Sequence, residues 1–410
     1  MTETTVGGSA VRGAAPASFV WTRQAALSIA GGLVVLVAIL VGASVLHNTP
    51  GYGARASLSL LLGAALGIVF QRGRFCFFCI LRDFIEYRNA TGLYAILAAL
   101  AVGAVGYVVV FGAFLPNSMG GRLPPDAHIG PVSWVLVAAG FAFGIGMALS
   151  GACISGHLYR LGEGYARAPI ALFGSLIGFG LGFFTWQSVY LGTLSRAPVV
   201  WLPATLGYGG ALALHLAVLA AIAFALLRFL PAGEPQPDGP WTPARIYETL
   251  LHRRWNPLAT GAIVGVLGMI AYFRVEPLGV TSQLASTART TLDNAGLLAD
   301  RLNGLDTFAG CAAVVVQAIT ENGWLIGGLA LGSFGVVLLA RRFEWSQLTL
   351  LNSATALLGG VLMGWGSMLA LGCTVGTLLS GISAFALSGW VFAAAVFGGV
   401  WLGIKLKLHQ

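Results

Sequence analysis

Charged side chains are scarce in this chain. Asp, Glu, Lys and Arg account for 9% of its 410 residues, whereas 57% of the residues are hydrophobic, and the mean hydropathy is +0.85. A soluble domain of this size needs a charged surface, so the composition indicates a membrane protein. The apolar stretches contain almost no Asp or Glu, and no nucleotide or flavin fingerprint stands out. These absences argue against an enzyme, a bound cofactor, a proton relay and coupling to ATP.

Eight stretches contain no charged residue and are long enough for a membrane-spanning helix. They cover residues 24–54, 89–121, 127–159, 168–195, 197–227, 255–273, 322–340 and 345–404. The last is roughly three times longer than the ~20 residues that cross a bilayer, and Gly and Ser interrupt it, which predicts a broken or re-entrant helix. The 58 glycines favour close helix packing in lipid. The predicted fold is therefore an all-α polytopic membrane protein.

Polar segments divide the chain into two apolar halves. The predicted segments are a disordered tail at 1–22, a first half at 23–229 with an extra first helix at 24–46, a linker at 230–255, a second half at 256–405 and a tail at 406–410. The first helix is too long for a cleavable signal. Arginines flank the first helix and the linker, for example Arg23, Arg228 and Arg253, so the positive-inside rule places the N-terminus and the linker in the cytoplasm. We attribute the net charge of +8 to this orientation and not to nucleic-acid binding.

The two halves share a motif in which Gly-x-Gly is followed by six residues, Cys, two residues and Gly. The copies are Gly144-Ile145-Gly146, Cys153 and Gly156, and, 220 residues later, Gly364-Trp365-Gly366, Cys373 and Gly376. A weaker match relates the turn at Cys76 to the turn at Thr281 and Ser282, where hydroxyls replace the thiol. Internal repeats with Gly-interrupted segments predict a transporter whose binding site lies between the halves.

Four half-helices are predicted after these Gly-containing turns. They are Cys76–Ile85, Cys153–Leu161, Thr281–Thr290 and Cys373–Ala386. Unwound backbone within a membrane persists where protein buries it or where it lines a cavity, so these turns are expected to line a path. The free N–H groups and partial positive charge at a helix N-terminus favour an anion. An anionic substrate fits this pattern.

Three cysteine motifs follow one another along the chain. They are Gln71-Arg72-Gly73-Arg74-Phe75-Cys76 with Arg82-Asp83, Ser150-Gly151-Ala152-Cys153-Ile154-Ser155-Gly156 with Leu158-Tyr159-Arg160 and Gly162-Glu163-Gly164, and Leu371-Gly372-Cys373-Thr374-Val375-Gly376 with Leu379-Ser380-Gly381. From about Ala56 to Lys405 the chain resembles the YeeE/YedE sulfur-transport family. The resemblance implies an hourglass-shaped bundle in the inner membrane that imports thiosulfate, or a related small sulfur anion, by transient hydrogen bonds to Cys76, Cys153 and Cys373. It also implies a cytoplasmic sulfur-carrier protein of the TusA type as a partner.

The chemistry of thiols is compatible with such a path, and also with an alternative. A neutral S–H is a weak donor and sulfur a weak acceptor, so each cysteine would bind loosely, as conduction requires. Residues predicted to support the path are Arg74, Cys79, Gly156, His157, Ser282 and Gly376. Cys79 departs from the one-thiol pattern and creates the Cys-x-x-Cys spacing of redox and metal sites, although core packing explains it as well. The alternative is a membrane thiol-redox protein, or a zinc or copper protein, that uses Cys76, Cys79, Cys153 and Cys373. Cys311 has no matching motif and is interpreted as a small hydrophobic residue.

Overall fold

The computed structural model describes residues 23–231, 242–299, 301–305, 315–316 and 318–409. Its first half contains α1 (Arg23–Asn48), α2 (Gly53–Gly73), α3 (Phe77–Tyr87), α4 (Thr91–Phe114), α5 (Trp134–Ser150), α6 (Ile154–Leu161), α7 (Arg167–Gly192) and α8 (Pro203–Leu226). The rest contains α9 (Pro243–Tyr247), α10 (Pro257–Arg274), α11 (Ser282–Asn294), α12 (Glu321–Leu339), α13 (Leu350–Leu369), the π-helix Thr374–Ser380, α14 (Gly381–Ser383) and α15 (Leu387–Lys405). Short helical turns occur at Leu194–Arg196, Leu227–Phe229 and Glu248–His252. The predicted tail at 1–22, part of the linker and Cys311 lie outside the described residues.

The helices have the length and composition of membrane spans. In the part of the chain that the structure describes, nine helical segments are long and apolar enough to cross a membrane. The pair formed by α13 and Thr374–Ser383, bent by 44° at a short break, gives up to ten. The predicted all-α polytopic fold, with a broken helix in the last charge-free stretch, is confirmed. The charge-free stretches did not include α2, because Arg55 and Arg72 lie inside its two ends. The exposed Arg55 side chain can reach a membrane surface, whereas Arg72 is buried and donates to backbone carbonyls.

Helices of the two halves pack against each other in pairs. Helix α2 packs against α12, α4 against α10, α5 against α15 and α7 against α13, and α5 also contacts α13. The internal repeat relates α2, α4, α5 and α7 of the first half to α10, α12, α13 and α15 of the second. Under this correspondence, the pair α2–α12 is equivalent to the pair α4–α10, and α5–α15 is equivalent to α7–α13. Glycines permit the close approach, since a Cβ atom at Gly63 would collide with the Leu325 carbonyl and one at Gly178 with the Val361 carbonyl.

Contacts between loops define two ends of the bundle. At the linker end, the Arg254 guanidinium donates to the Gly73 carbonyl at 3.1 Å. At the opposite end, the Tyr272 hydroxyl donates to the Pro125 carbonyl at 2.7 Å. Helices α2, α5, α8, α12 and α15 run toward the linker end, and α1, α4, α7, α10 and α13 run away from it.

The predicted half-helices are present. Helix α3 begins directly after Cys76, α6 after Cys153, α11 after Thr281 and the π-helix after Cys373. The breaks before α3 and α6 follow helices that run toward the linker end, whereas the breaks before α11 and the π-helix follow helices that run toward the opposite end. The two copies of the cysteine motif therefore have opposite orientations relative to the bundle axis.

Candidate functional site

Two cysteine thiols face each other where the linker-end half-helices begin. The Sγ atoms of Cys76 and Cys153 lie 3.9 Å apart, and both residues are fully buried. The Cys153 Sγ atom also lies 3.2 Å from the Ser155 hydroxyl and accepts the Gly156 N–H at 3.3 Å. The starts of two half-helices thus meet at one pair of sulfur atoms, and helix N-termini favour an anion.

Local backbone geometry ends α2 and α5 at these thiols. Arg74 has a left-handed conformation with φ 52°, and Gly151 has φ 84°. Each reverses the chain just after its helix, because the left-handed region cannot continue a right-handed helix. The Phe75 ring stacks on Phe70 at a centroid distance of 5.3 Å, which packs the first turn against the end of α2. The predicted Arg74 lies at this break, and its side chain is exposed.

Gly156 provides the space in which the two thiols meet. A Cβ atom at this position would lie 2.8 Å from Cys76 Sγ, 3.0 Å from Ala152 Cβ and 3.4 Å from Cys153 Sγ. Any side chain would therefore displace a sulfur atom from its present position. The requirement for glycine in the motif follows from this contact.

Cys79 and Arg160 extend the site into a cluster of three thiols beside a cation. The Cys79 thiol contacts Cys76 and accepts an N–H from Arg160 Nη2 at 3.0 Å. Arg160 Nη1 donates to the Gly151 carbonyl at 3.4 Å, and its guanidinium lies 5.3 Å from the centre of the Tyr165 ring. This fixed positive charge adds to the attraction for an anion. We term Cys76, Cys79 and Cys153 the thiol cluster.

His157 lies between Cys153 and Arg160 on the same face of α6. Its backbone N–H donates to the Cys153 carbonyl at 2.9 Å, and its side chain is fully buried with neither ring nitrogen hydrogen-bonded. Buried polar groups normally have partners, so the ring is available to a ligand. Spacing of four and seven residues places Cys153, His157 and Arg160 on one helix face. That spacing is the signal by which sequence reasoning could have added Arg160 to the site.

The remaining predicted residues lie at the opposite end. Cys373 is fully buried and immediately precedes the π-helix, and Ser282 is the first residue of α11. A Cβ atom at Gly376 would lie 3.0 Å from Cε1 of His128, a residue that sequence reasoning missed. Burial lowers the pKa of His128 to about 4, so the ring is neutral at pH 7. The structure therefore does not bring Cys373, Gly376 or Ser282 into the thiol cluster.

A basic region surrounds the thiol cluster at the linker end. The buried Arg72 side chain donates to the backbone carbonyls of Leu250 and Arg253, which fastens the end of the linker to the turn before Cys76. Glu163, 3.2 Å from the Gln71 amide, has a pKa raised above its ordinary value by burial, and the nearby Arg160 opposes this shift. The fixed charge next to the cluster is therefore mainly positive.

The four-thiol metal site is not assembled. Within the residues described, no group of three or more His, Cys, Asp or Glu side chains is arranged so that it could hold a metal ion. Cys373 follows a helix that runs toward the opposite end, so it does not complete a site with the thiol cluster. The nearby thiols of Cys76, Cys79 and Cys153 remain relevant to the thiol-redox alternative.

Known proteins share this sequence pattern over most of the chain. A family model described as sulphur transport matches residues 72–402. The thiosulfate transporter TsuA of Escherichia coli K12 is 28% identical over 349 residues, which cover 83% of this chain and 92% of the relative. The thiosulfate transporter TsuA of Spirochaeta thermophila is 27% identical over 358 residues, or 83% and 96% of the two chains. The probable transporter YedE of E. coli K12 is 33% identical over 91 residues, 21% of this chain and 22% of the relative. With its many apolar helices and its three cysteine motifs, this multi-pass membrane protein belongs to the sulphur-transport (YeeE/YedE) family.

Proposed function

We propose that this protein is an inner-membrane transporter, and not an enzyme, that imports thiosulfate or a related small sulfur anion past Cys373, Cys153 and Cys76. The observation that carries the proposal is the pair of buried thiols of Cys76 and Cys153, 3.9 Å apart where two half-helices begin. Two relatives that align with 83% of the chain are named thiosulfate transporters, which supports the choice of substrate. The roles of Arg74, Cys79, Gly156, His157, Ser282 and Gly376 in the path stay predictions.

The distribution of basic residues supports a direction of transport. Most of the described Lys and Arg residues lie at the linker end. Those at the opposite end are Arg55, Arg122, Arg196, Arg274, Arg289 and Arg301. The positive-inside rule then favours a cytoplasmic linker end, and α1 begins at this end, so the N-terminus is cytoplasmic as well. With this orientation, an anion from outside meets Cys373 first and the thiol cluster last.

The chemistry of the two cysteine sites suits a soft anion. Thiosulfate combines a polarizable terminal sulfur, which can accept an S–H hydrogen bond, with oxygens that accept N–H groups. Neutral thiols make weak hydrogen bonds, and weak successive sites allow an anion to enter and leave. The Arg160 guanidinium, 3.0 Å from Cys79 Sγ, supplies the charge attraction that a neutral thiol lacks. A thiolate would repel the same anion, so the proposal requires protonated thiols in the path.

The test is uptake of radiolabelled thiosulfate by cells that lack other thiosulfate importers. Wild-type protein is compared with Cys76→Ala, Cys153→Ala, Cys373→Ala and Cys79→Ala at matched abundance in the membrane. We expect uptake to fall by about tenfold or more in the first three variants, since a hydrogen bond to a charged group contributes ~1.5–3 kcal/mol and 1.4 kcal/mol corresponds to tenfold. The Cys79→Ala variant should keep its uptake. Absence of uptake by the wild type would refute the proposal.

The separation of Cys76 and Cys153 also favours a second candidate, a thiol-redox protein. Their sulfur atoms are 3.9 Å apart, and a shift of about 2 Å would allow a disulfide bond. Cys79 adds a third thiol next to the Arg160 cation, and a neighbouring cation promotes thiol reactivity. In this case Cys79→Ala should impair function as strongly as Cys76→Ala, and peptide mass spectrometry should detect a disulfide among these cysteines after mild oxidation. Fully reduced thiols in that experiment would count against this candidate.

A TusA-type sulfur carrier is the partner proposed for the released anion. Exposed arginines surround the exit side of the thiol cluster, among them Arg74, Arg88, Arg254 and Arg342. These side chains support delivery at the linker end, because they attract both the leaving anion and an acidic patch on a carrier. Co-purification of a TusA-type protein with the transporter, weakened by Arg74→Glu and by added salt, is the expected result. Equal recovery with and without the substitution would speak against docking at this place.

A further inference from the structure

A buried histidine lies against the first turn of the opposite-end half-helix. His128 belongs to the segment 125–131, which we term the strap. The strap is held by the Tyr272 hydroxyl on the Pro125 carbonyl at 2.7 Å and by the Gly130 N–H on the Ser388 hydroxyl at 3.2 Å. The strap therefore fixes the His128 ring beside the backbone that follows Cys373.

The His128 ring packs directly against Gly376. A Cβ atom at Gly376 would lie 3.0 Å from Cε1 and 3.3 Å from Nε2 of His128. The side chain is 5% exposed. The Nδ1 atom of the ring is buried and without a hydrogen-bond partner. Two residues before Gly376, the Thr374 hydroxyl is also buried and without a partner.

The repeat relates this arrangement to the thiol cluster. Gly156 and Gly376 occupy the same position in the two copies of the cysteine motif. At Gly156, the space next to the Cα atom is taken by Cys76 Sγ, 2.8 Å from a built Cβ. At Gly376, the corresponding space is taken by the His128 imidazole. The second half has no thiol in the place of Cys76, and the strap supplies a polar side chain there instead.

The buried and unpartnered Nδ1 atom of His128 points to an occupant. Buried nitrogen and oxygen atoms are almost always hydrogen-bonded, and leaving one unpaired destabilises the folded protein. An oxyanion that enters beside Cys373 would provide an acceptor for the ring. An imidazole can carry its proton on either nitrogen, so Nδ1 becomes a donor when such an anion is present.

We propose that His128 contacts the transported anion at the opposite-end site, where its imidazole binds an oxygen of the anion while Cys373 contacts the sulfur. His128 is thus the counterpart of Cys76 in the second half of the path. This inference rests on the proposed transport function and adds to it a residue that recognises the oxygen atoms of the substrate. The strap lies at the end of the bundle opposite the linker, so the site formed by His128 and Cys373 lies on the side from which the anion enters.

The test compares thiosulfate uptake by the wild type and the His128→Phe and His128→Asn variants, over a range of thiosulfate concentrations. His128→Phe keeps a ring of similar size but has no nitrogen, so we expect its apparent KM to rise by about tenfold or more, as for loss of a hydrogen bond to a charged group. His128→Asn retains a donor and should stay within about threefold of the wild type. The matched control is His215→Phe, since His215 is also buried but packs against Phe385 and Trp390.

The outcomes separate this inference from the function on which it rests. A raised KM in His128→Phe, with rescue in His128→Asn and normal uptake in His215→Phe, supports the contact. Wild-type kinetics in His128→Phe would overturn the inference and leave thiosulfate transport standing. A lower maximal rate with unchanged KM in both His128 variants would show a folding role and would also overturn it. Failure of the wild type to transport thiosulfate would overturn the proposed function and this inference together.

Discussion

Substitution of Gly156 by alanine tests whether the anion passes between the two linker-end thiols. The new methyl carbon would lie 2.8 Å from Cys76 Sγ and 3.0 Å from Ala152 Cβ, closer than the ~3.5–4.0 Å of an ordinary contact. Overpacking of this kind costs ~1–3 kcal/mol, and the change from Gly to Ala in a helix returns ~0.5–1 kcal/mol. The net loss of about 0–2.5 kcal/mol leaves the protein folded. The sulfur atom of Cys76 must nevertheless move, and we expect thiosulfate uptake to fall by about tenfold or more, a change of ~1.4 kcal/mol.

The assay for this variant is radiolabelled thiosulfate uptake normalised to the amount of protein in the membrane. The matched control is Gly327→Ala in α12, where no atom lies within 4 Å of the built Cβ. The control should keep normal uptake and gain ~0.5–1 kcal/mol of helix stability. Normal uptake by Gly156→Ala, together with normal abundance, would refute the idea that the anion contacts Cys76 and Cys153 where they meet.

Two further predictions concern stability in detergent solution. In Gly178→Ala, the methyl group would collide with the Val361 carbonyl, which belongs to a helix backbone and cannot rotate away. The thermal midpoint should therefore fall by several degrees, for a loss of ~1–3 kcal/mol in the free energy of unfolding. An unchanged midpoint would contradict the close packing of α7 on α13. Burial, and then the neighbouring Glu321 carboxylate, raise the pKa of Glu276 to about 7 from an ordinary value of 4.5. The folded protein therefore holds this proton where the unfolded chain has lost it, so the stability it contributes is complete below about pH 4.5 and is lost as the pH rises through about 7. The midpoint of the wild type should fall between about pH 5 and pH 8 more than that of Glu276→Gln, and parallel pH profiles of the two proteins would exclude this role.

Local features of the sequence were sufficient to predict where the half-helices begin. Glycine-containing turns, followed by short apolar segments, predicted starts at Cys76, Cys153, Thr281 and Cys373, and the structure has a half-helix directly after each of them. These predictions succeeded because a helix break in a membrane depends on nearby residues, namely those that allow the turn and those that protect its backbone from lipid. The repeated spacing around Cys153 and Cys373 further indicated that the two breaks are equivalent.

Contacts between distant segments could not be predicted in the same way. Nothing in the spacing of the motifs indicates that Cys76 lies 3.9 Å from Cys153 or that Arg160 donates to Cys79. His128 was missed because it lies in a connecting segment without a motif, and its placement beside Gly376 depends on how the strap packs across the bundle. Helical periodicity specifies which residues share a face of one helix, but it does not specify which loop inserts against that face.

The exchange of helices between the halves has a mechanical consequence. The pairs α2–α12, α4–α10, α5–α15 and α7–α13 each join one helix from the first half to one from the second, and glycines such as Gly63 and Gly178 bring their backbones into contact. Because the halves are interleaved, they share no flat interface along which one could tilt as a rigid body. A rocking motion would have to separate several tightly packed helix–helix interfaces at once. We therefore expect the helix pairs to stay rigid and only small segments to move. The turns at the half-helices and a few side chains are left to open and close the route, and each half depends on the other to bury its glycine-lined surfaces.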